Sequence, residues 1–271
     1  MLVHSAYHAP VLAAEVTELL RNANQVLDCT LGGGGHTVAL FEAGVQSVVG
    51  VDRDPEALAS SVERLHVFAE AARFSALESN YSELSELPAL DGMTFDGILL
   101  DLGISSHQVD KFERGFTFRP GARLDMRMSS TGASAADLLN DEDEESLELV
   151  FKLFGDEPKA RGLAREIVRR RETIPFATSD ELVGAIRAVL GKKSGSPDFA
   201  RLFQAVRIAV NDELPGLTRA LPALRDRLTP GGTLVVITYH SGEDRIVKNF
   251  FRDWSANCIC PPKHPMCTCR G

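Results

Sequence analysis

Residues 25–36 read Gln-Val-Leu-Asp-Cys-Thr-Leu-Gly-Gly-Gly-Gly-His, an apolar run closing on an acid and a threonine and then breaking into four glycines. With the helix-like segment Thr37 to Glu42 behind it, this is how a strand, a tight turn and a helix N-terminus are written. Glycine at such a turn admits positive φ and lets backbone approach a ligand with no Cβ in the way. The next apolar run, Ser-Val-Val-Gly-Val, ends in Asp52, placed to accept hydrogen bonds from ribose hydroxyls. Strand, turn, helix, strand and acid in that order predict a site for a nucleoside-containing cofactor; the alternative is a structural turn.

Working outward, Pro55 to His66 reads as a helix, Arg73 to Leu77 as a strand, and Phe95-Asp-Gly-Ile-Leu-Leu-Asp as a fourth apolar strand ending in Asp101. Strands alternating with helices predict a parallel α/β sheet covered on both faces. Ligands bind such sheets beyond the carboxyl ends of the strands, so Asp28, Asp52 and Asp101 should converge on one rim. Upstream, Val11, Leu12, Val16, Leu19 and Leu20 fall at helical spacing and predict a packing helix.

From about Asp110 the strand pattern stops. Ala135 to Leu139, Glu145 to Phe154, Ala160 to Glu172, Ser179 to Leu190 and Phe203 to Asn211 read as helices, with Gly155, Pro175, Gly191 and Pro197 as punctuation. Thr229-Pro-Gly-Gly then reads as a turn and Thr233 to His240 as a fifth strand. The expected organisation is one sheet domain, 1–109 plus 214–271, interrupted by a helical subdomain at 110–213. That insertion holds 17 Lys or Arg against 19 Asp or Glu. Its arginines are bunched at Arg161, Arg165 and Arg169, a solvated face or a set of phosphate contacts.

Composition narrows the class. The chain has 271 residues, 44% hydrophobic and 25% charged, with a net charge of -9, which argues against nucleic-acid binding by bulk charge but leaves local patches open. No apolar run is long enough to cross a bilayer and no signal peptide is visible, so a cytoplasmic location without membrane contact is expected. Four of five cysteines crowd at Cys258, Cys260, Cys267 and Cys269 around His264. They could ligate zinc, but the usual two-residue gap within each pair is absent, and no metal is assigned.

Several motifs together resemble the bacterial ribosomal small-subunit methyltransferase H family, also called MraW. They are His8-Ala-Pro-Val-Leu, Asp28-Cys-Thr-Leu-Gly-Gly-Gly-Gly-His, Val51-Asp-Arg-Asp-Pro, Asp96-Gly-Ile-Leu-Leu-Asp-Leu-Gly-Ile-Ser-Ser-His-Gln, Arg114-Gly-Phe, Leu124-Asp-Met-Arg-Met, Phe203-Gln-Ala-Val-Arg-Ile-Ala-Val-Asn and His240-Ser-Gly-Glu-Asp-Arg-Ile-Val-Lys. The resemblance implies a Rossmann-like class I methyltransferase that uses S-adenosylmethionine to methylate the exocyclic N4 of a cytidine in the decoding region of 16S ribosomal RNA, within the small ribosomal subunit. It places cofactor contacts on Gly34, Gly35, His36, Asp52, Asp101 and Gln108, with Tyr81 a looser match. A homodimer is left open, as is free RNA against an assembled subunit.

Three departures from the family pattern stand out. Gly242 replaces a leucine after His-Ser, and Ser196-Pro-Asp-Phe-Ala-Arg replaces the lead into Phe-Gln-Ala, so that Arg201 alone carries over there. Family chains also continue past the cysteine cluster into a segment expected to supply the last strands, which implies a truncated or partly covered chain here.

Methyl transfer from a sulfonium needs positioning more than covalent help. The catalytic candidates are Asp101, His240 and Asn211; the substrate-binding candidates are Asp125, Arg127, Arg201, Phe203 and Arg207. A stacking aromatic must come from Phe116, Phe118, Phe203 or Tyr239. Cys29 sits in the first strand and the other thiols in the tail, so the thiolate addition used to methylate a pyrimidine carbon is disfavoured. A nucleotide-dependent dehydrogenase and a noncatalytic RNA-binding factor are the competing classes; cofactor binding separates them.

Overall fold

The structure, a computed structural model, describes residues 10–105, 108–109 and 111–256. Strands β1 (Gln25–Asp28), β2 (Ser47–Asp52), β3 (Phe74–Glu78), β4 (Phe95–Asp101) and β5 (Leu228–Ile237) form one parallel sheet in the order β3-β2-β1-β4-β5. This is the Rossmann-like α/β sheet that the class I methyltransferase expectation requires. The chain order reverses beside β1, so the rim above β1 is the topological switch point where ligands bind.

Helices α1 (Ala13–Leu20), α2 (Gly35–Glu42), α3 (Pro55–Arg64) and α4 (His66–Glu70) belong to the first half of the sheet. Successive residues of β1 face opposite sides: Val26 joins a core with Leu20, Leu40 and Leu65, while Leu27 joins one with Leu84, Leu217 and Leu221. Burial on both faces explains why the strands read as unbroken apolar runs.

Between β4 and β5 lie α5 (Ala135–Asp141), α6 (Glu144–Leu153), α7 (Ala160–Arg171), α8 (Ser179–Leu190), α9 (Ser196–Asn211) and α10 (Glu213–Arg225); α11 (Ser241–Trp254) follows β5. A third core, including Leu139, Phe151, Ile167, Ile186 and Leu202, draws its side chains from Phe116 to Val210. Helices α5 to α9 therefore bury their apolar stripes mainly on each other, and α10 returns to the sheet through Leu217 and Leu221.

Several boundaries differ from the sequence reading, each for a physical reason. Helix α9 starts at Ser196, because Pro197 occupies its first turn, where no N–H is missed, and Asp198 accepts the Gly195 N–H at 3.0 Å. Leu12 takes a left-handed conformation, so α1 starts at Ala13 and buries Val16 and Leu20 while Val11, Leu12 and Leu19 stay exposed. Thr229-Pro-Gly-Gly lies within the bounds of β5, where the register against β4 slips between the Phe95 and Gly97 pairings. The strand ends at Ile237, leaving Tyr239 and His240 free to turn into α11.

Candidate active site

Three acids close β1, β2 and β4 on one rim, and they divide the work. Asp28 is buried, accepts the Thr37 hydroxyl at 2.8 Å and so ties the end of β1 to α2. Burial raises its pKa, with the Thr37 bond opposing. Asp52 and Asp101 instead line a cleft of about 340 Å³. The glycine turn forms one wall. Gly34 holds φ at 73°, capping α2, and a Cβ there would come within 3.0 Å of Leu65; Gly35 follows as the first residue of α2 and borders the cleft.

Asp52 accepts the Gly32 N–H at 2.7 Å and the Asp54 N–H at 2.9 Å, which fixes its carboxylate beside the turn. Burial pushes its pKa up to about 6 despite those two bonds. At the end of β4, Asp101 is held by its own N–H, which donates to Thr30 Oγ1 at 2.6 Å. Its Oδ1 accepts the Tyr239 hydroxyl at 2.8 Å, and its Oδ2 lies 3.3 Å from His36 Nε2. His36 is 6% exposed, and among the described residues neither ring nitrogen has an aligned hydrogen bond. A buried imidazole whose nitrogens lack aligned hydrogen bonds is costly unless a ligand supplies them.

Tyr81 and Gln108 complete the lining expected from sequence. The Tyr81 hydroxyl donates to the Glu213 carbonyl at 3.4 Å, and burial raises its pKa. Gln108 donates from Nε2 to Asp54 Oδ2 at 2.8 Å. Arg114 reaches the same carboxylate at 3.0 Å and also donates to the carbonyls of Arg127 and Met128, joining the first turn of α3 to the start of the inserted region.

The other candidates sit elsewhere. Asn211 is 1% exposed and its amide is spent: Nδ2 donates to Met126 O at 2.7 Å and Oδ1 accepts from Met128 N at 2.9 Å. It staples a loop and does not line the cleft. His240 caps α11, its Nδ1 accepting from Gly242 N at 3.2 Å and its Nε2 lying 3.2 Å from Glu243. It lines a second cleft of about 210 Å³ with Arg201 and Arg245. Arg201 pairs with Glu157 at 2.6 Å, Arg207 is bidentate to Glu213 at 2.8 Å, and Arg127 is bidentate to Asp125 at 2.7 and 3.0 Å. Burial would raise Asp125, but Arg127 more than offsets it and holds the carboxyl below its usual range. Phe203 is 6% exposed in the inserted core, edge-on to Phe118. The cysteine cluster lies outside the described residues.

Among the cleft residues that the sequence does not single out as site members are Arg53, Ser79, Glu213 and Glu243. Ser79 follows the end of β3, so the strand-end rule that found Asp52 would have found it. Glu243, buried in the first turn of α11, accepts the Tyr239 N–H at 2.8 Å. Burial raises its pKa, but His240 and that N–H outweigh it and leave it lowered. Arg53 sits inside the Val51-Asp-Arg-Asp-Pro motif, whereas Glu213 carries no local signal.

This set of donors and acceptors fits S-adenosylmethionine. Asp52 suits ribose hydroxyls, the glycine turn permits close backbone approach, His36 has ring nitrogens to satisfy, and Asp101 offers a carboxylate to a cationic centre.

Residues 5–271 match the model of the MraW methylase family. A ribosomal RNA small subunit methyltransferase H from Gemmatimonas aurantiaca is 63% identical over 266 residues, 98% of this chain and 84% of that protein. One of the same name from Heliobacterium modesticaldum is 44% identical over 273 residues, covering 97% and 87%. With the sheet, the glycine turn and the strand-end acids in place, the chain belongs to the MraW methylase family.

Proposed function

We propose that this S-adenosylmethionine-dependent rRNA methyltransferase modifies the exocyclic N4 of a cytidine in the decoding region of 16S ribosomal RNA by direct in-line transfer. The observation that carries the reading is the position of Asp101, whose carboxylate faces the cleft between buried His36 and exposed Tyr239. The bound cofactor supplies an electrophilic methyl on a sulfonium.

Everything else falls to the chain. Cytosine N4 is a weak nucleophile because its lone pair is delocalised into the ring. A carboxylate accepting a hydrogen bond from N4 favours pyramidalisation and takes the proton as the N–C bond forms. Asp101 is suited to that role, since Tyr239 holds one oxygen and His36 faces the other. Asp52 and the glycine turn orient the donor side, and holding both partners in near-attack geometry supplies much of the acceleration. The target base must leave its stack to reach the cleft.

The family relationship supports an rRNA substrate. We assign recognition of the RNA, within the small subunit, to the inserted region 110–213, with Arg165 and Arg169 exposed on α7. The test is to incubate the protein with labelled S-adenosylmethionine and small subunits and to digest the RNA for mass spectrometry. N4-methylcytidine is expected. Label on a ring carbon overturns the direct transfer, and label on ribose overturns the assignment of the acceptor atom.

A further inference from the structure

Of the four aromatics that the sequence offers as stacking candidates, three are committed to packing. Phe116, Phe118 and Phe203 all lie against the inserted core, and Phe118 meets Phe203 edge-on at 6.1 Å. Tyr239 is different. It lies beyond the end of β5, lines the main cleft and is 53% exposed.

That exposure is not looseness. The Tyr239 N–H donates to buried Glu243 at 2.8 Å and its hydroxyl donates to Asp101 at 2.8 Å. The ring lies over Gly103, which sits at φ +97°, and a Cβ added there would come within 3.3 Å of Cδ2. A tyrosine fixed at its backbone and at its tip, with a bare glycine beneath and an uncovered surface in the cleft, is built to meet a flat partner. The same hydroxyl ends on the carboxylate to which the proposed function gives the N4 proton, so a base on this ring has its exocyclic edge near Asp101.

We propose that Tyr239 is the stacking platform for the flipped target pyrimidine, its ring taking the face of the base and its hydroxyl aiming Asp101 at the exocyclic amine. The inference rests on the proposed function for its substrate, an RNA nucleotide, and adds the residue that holds it. Base stacking on an aromatic side chain is sequence-tolerant, so the platform grips any pyrimidine, and choice of the exocyclic amine falls to the carboxylate.

Two variants separate ring from hydroxyl. Tyr239→Leu keeps bulk and removes the aromatic face; the KM for small subunits should rise between about fivefold and a hundredfold, the span of a lost base stack. Tyr239→Phe keeps the face; its KM should stay within about threefold of wild type while kcat falls. S-adenosylmethionine affinity, by calorimetry, should change less than about threefold in both. An unchanged KM in Tyr239→Leu, or an equal rise in Tyr239→Phe, overturns the platform, as does loss of cofactor affinity with KM for RNA intact. Independently of any variant, small-subunit RNA carrying 5-iodocytidine at the modified position should photo-crosslink the wild-type protein at Tyr239; a crosslink elsewhere also overturns it. If wild type binds no S-adenosylmethionine or labels another atom, the proposed function fails instead, and the two failures are told apart.

Discussion

Arg114 Nη2 lies 3.0 Å from Asp54 Oδ2, while the same guanidinium donates to the carbonyls of Arg127 and Met128. One side chain thus clamps the helix that follows Asp52 to the chain entering the inserted region. Both partners are sheltered, with side-chain exposures of 16% and 2%. Removing one member of such a pair leaves a buried charge uncompensated. Arg114→Met should cost about 3 kcal/mol in urea unfolding at neutral pH. Burial raises the Asp54 carboxyl, but Arg114 and Gln108 outweigh it, so its pKa is depressed below the ordinary 3.8. Its stabilisation is therefore complete above that value and lost as pH falls through the depressed pKa. An Arg114→Met protein as stable as wild type would show the clamp to be idle.

Asp52 moves the other way. With its pKa raised to about 6 by burial, its folded-state preference for the neutral form gives stability that is present below 3.8 and lost as pH rises through about 6. Accepting ribose hydroxyls requires the ionised form, so S-adenosylmethionine affinity should fall by about tenfold per pH unit below about 6. Asp52→Asn should flatten that dependence, and Asp52→Ala should weaken binding by about 1.5 to 3 kcal/mol. Calorimetry across pH 4.5 to 8 decides it; a flat wild-type profile would remove the ribose role.

Asp101→Ala should lower turnover by about a hundredfold or more at saturating cofactor, the scale of a lost general base. Single-turnover measurement separates this from weaker binding. Full turnover would move the proton acceptor elsewhere, with Glu243, which lines the same cleft, next to test.

On α7, Arg165 lies 3.6 Å from Glu144, and Arg169 is paired with Glu166, whose pKa it helps lower to about 2. Both arginines are about two-thirds exposed, and such surface pairs contribute little to stability. Reversing both to Glu should leave the melting temperature and cofactor affinity nearly unchanged while weakening RNA binding and flattening its salt dependence. Filter binding from low to high salt reads this; an unaltered slope would return the face to solvent.

The rim that carries the candidate cofactor residues is legible in the sequence because it is local. The glycine turn and the strand-end acids of β1, β2 and β4 follow from apolar runs and their terminators, and parallel topology then puts them on one rim. What failed to read through was partnership. Arg207 is bidentate to Glu213, and Asn211 staples Met126 and Met128, so both are drawn into packing that no spacing rule announces. Tyr239 meets Asp101 from 138 positions away, a contact that exists only once β5 lies beside β4.

That adjacency carries a consequence for how the chain reaches its native state. Pairing β5 with β4 closes a loop of about 130 residues, which costs about 4 kcal/mol of chain entropy if the loop is unstructured. The helices between them bury a core of their own, so they can collapse before the sheet is complete and shorten the effective loop, each halving lowering the cost by about 0.6 kcal/mol. The inserted region is thus expected to act as an assembly aid, with Tyr239 and Asp101 meeting last. Pulsed hydrogen exchange during refolding should protect amides of α7 and α8 before those of β5; protection in the reverse order would assign the insertion no such part.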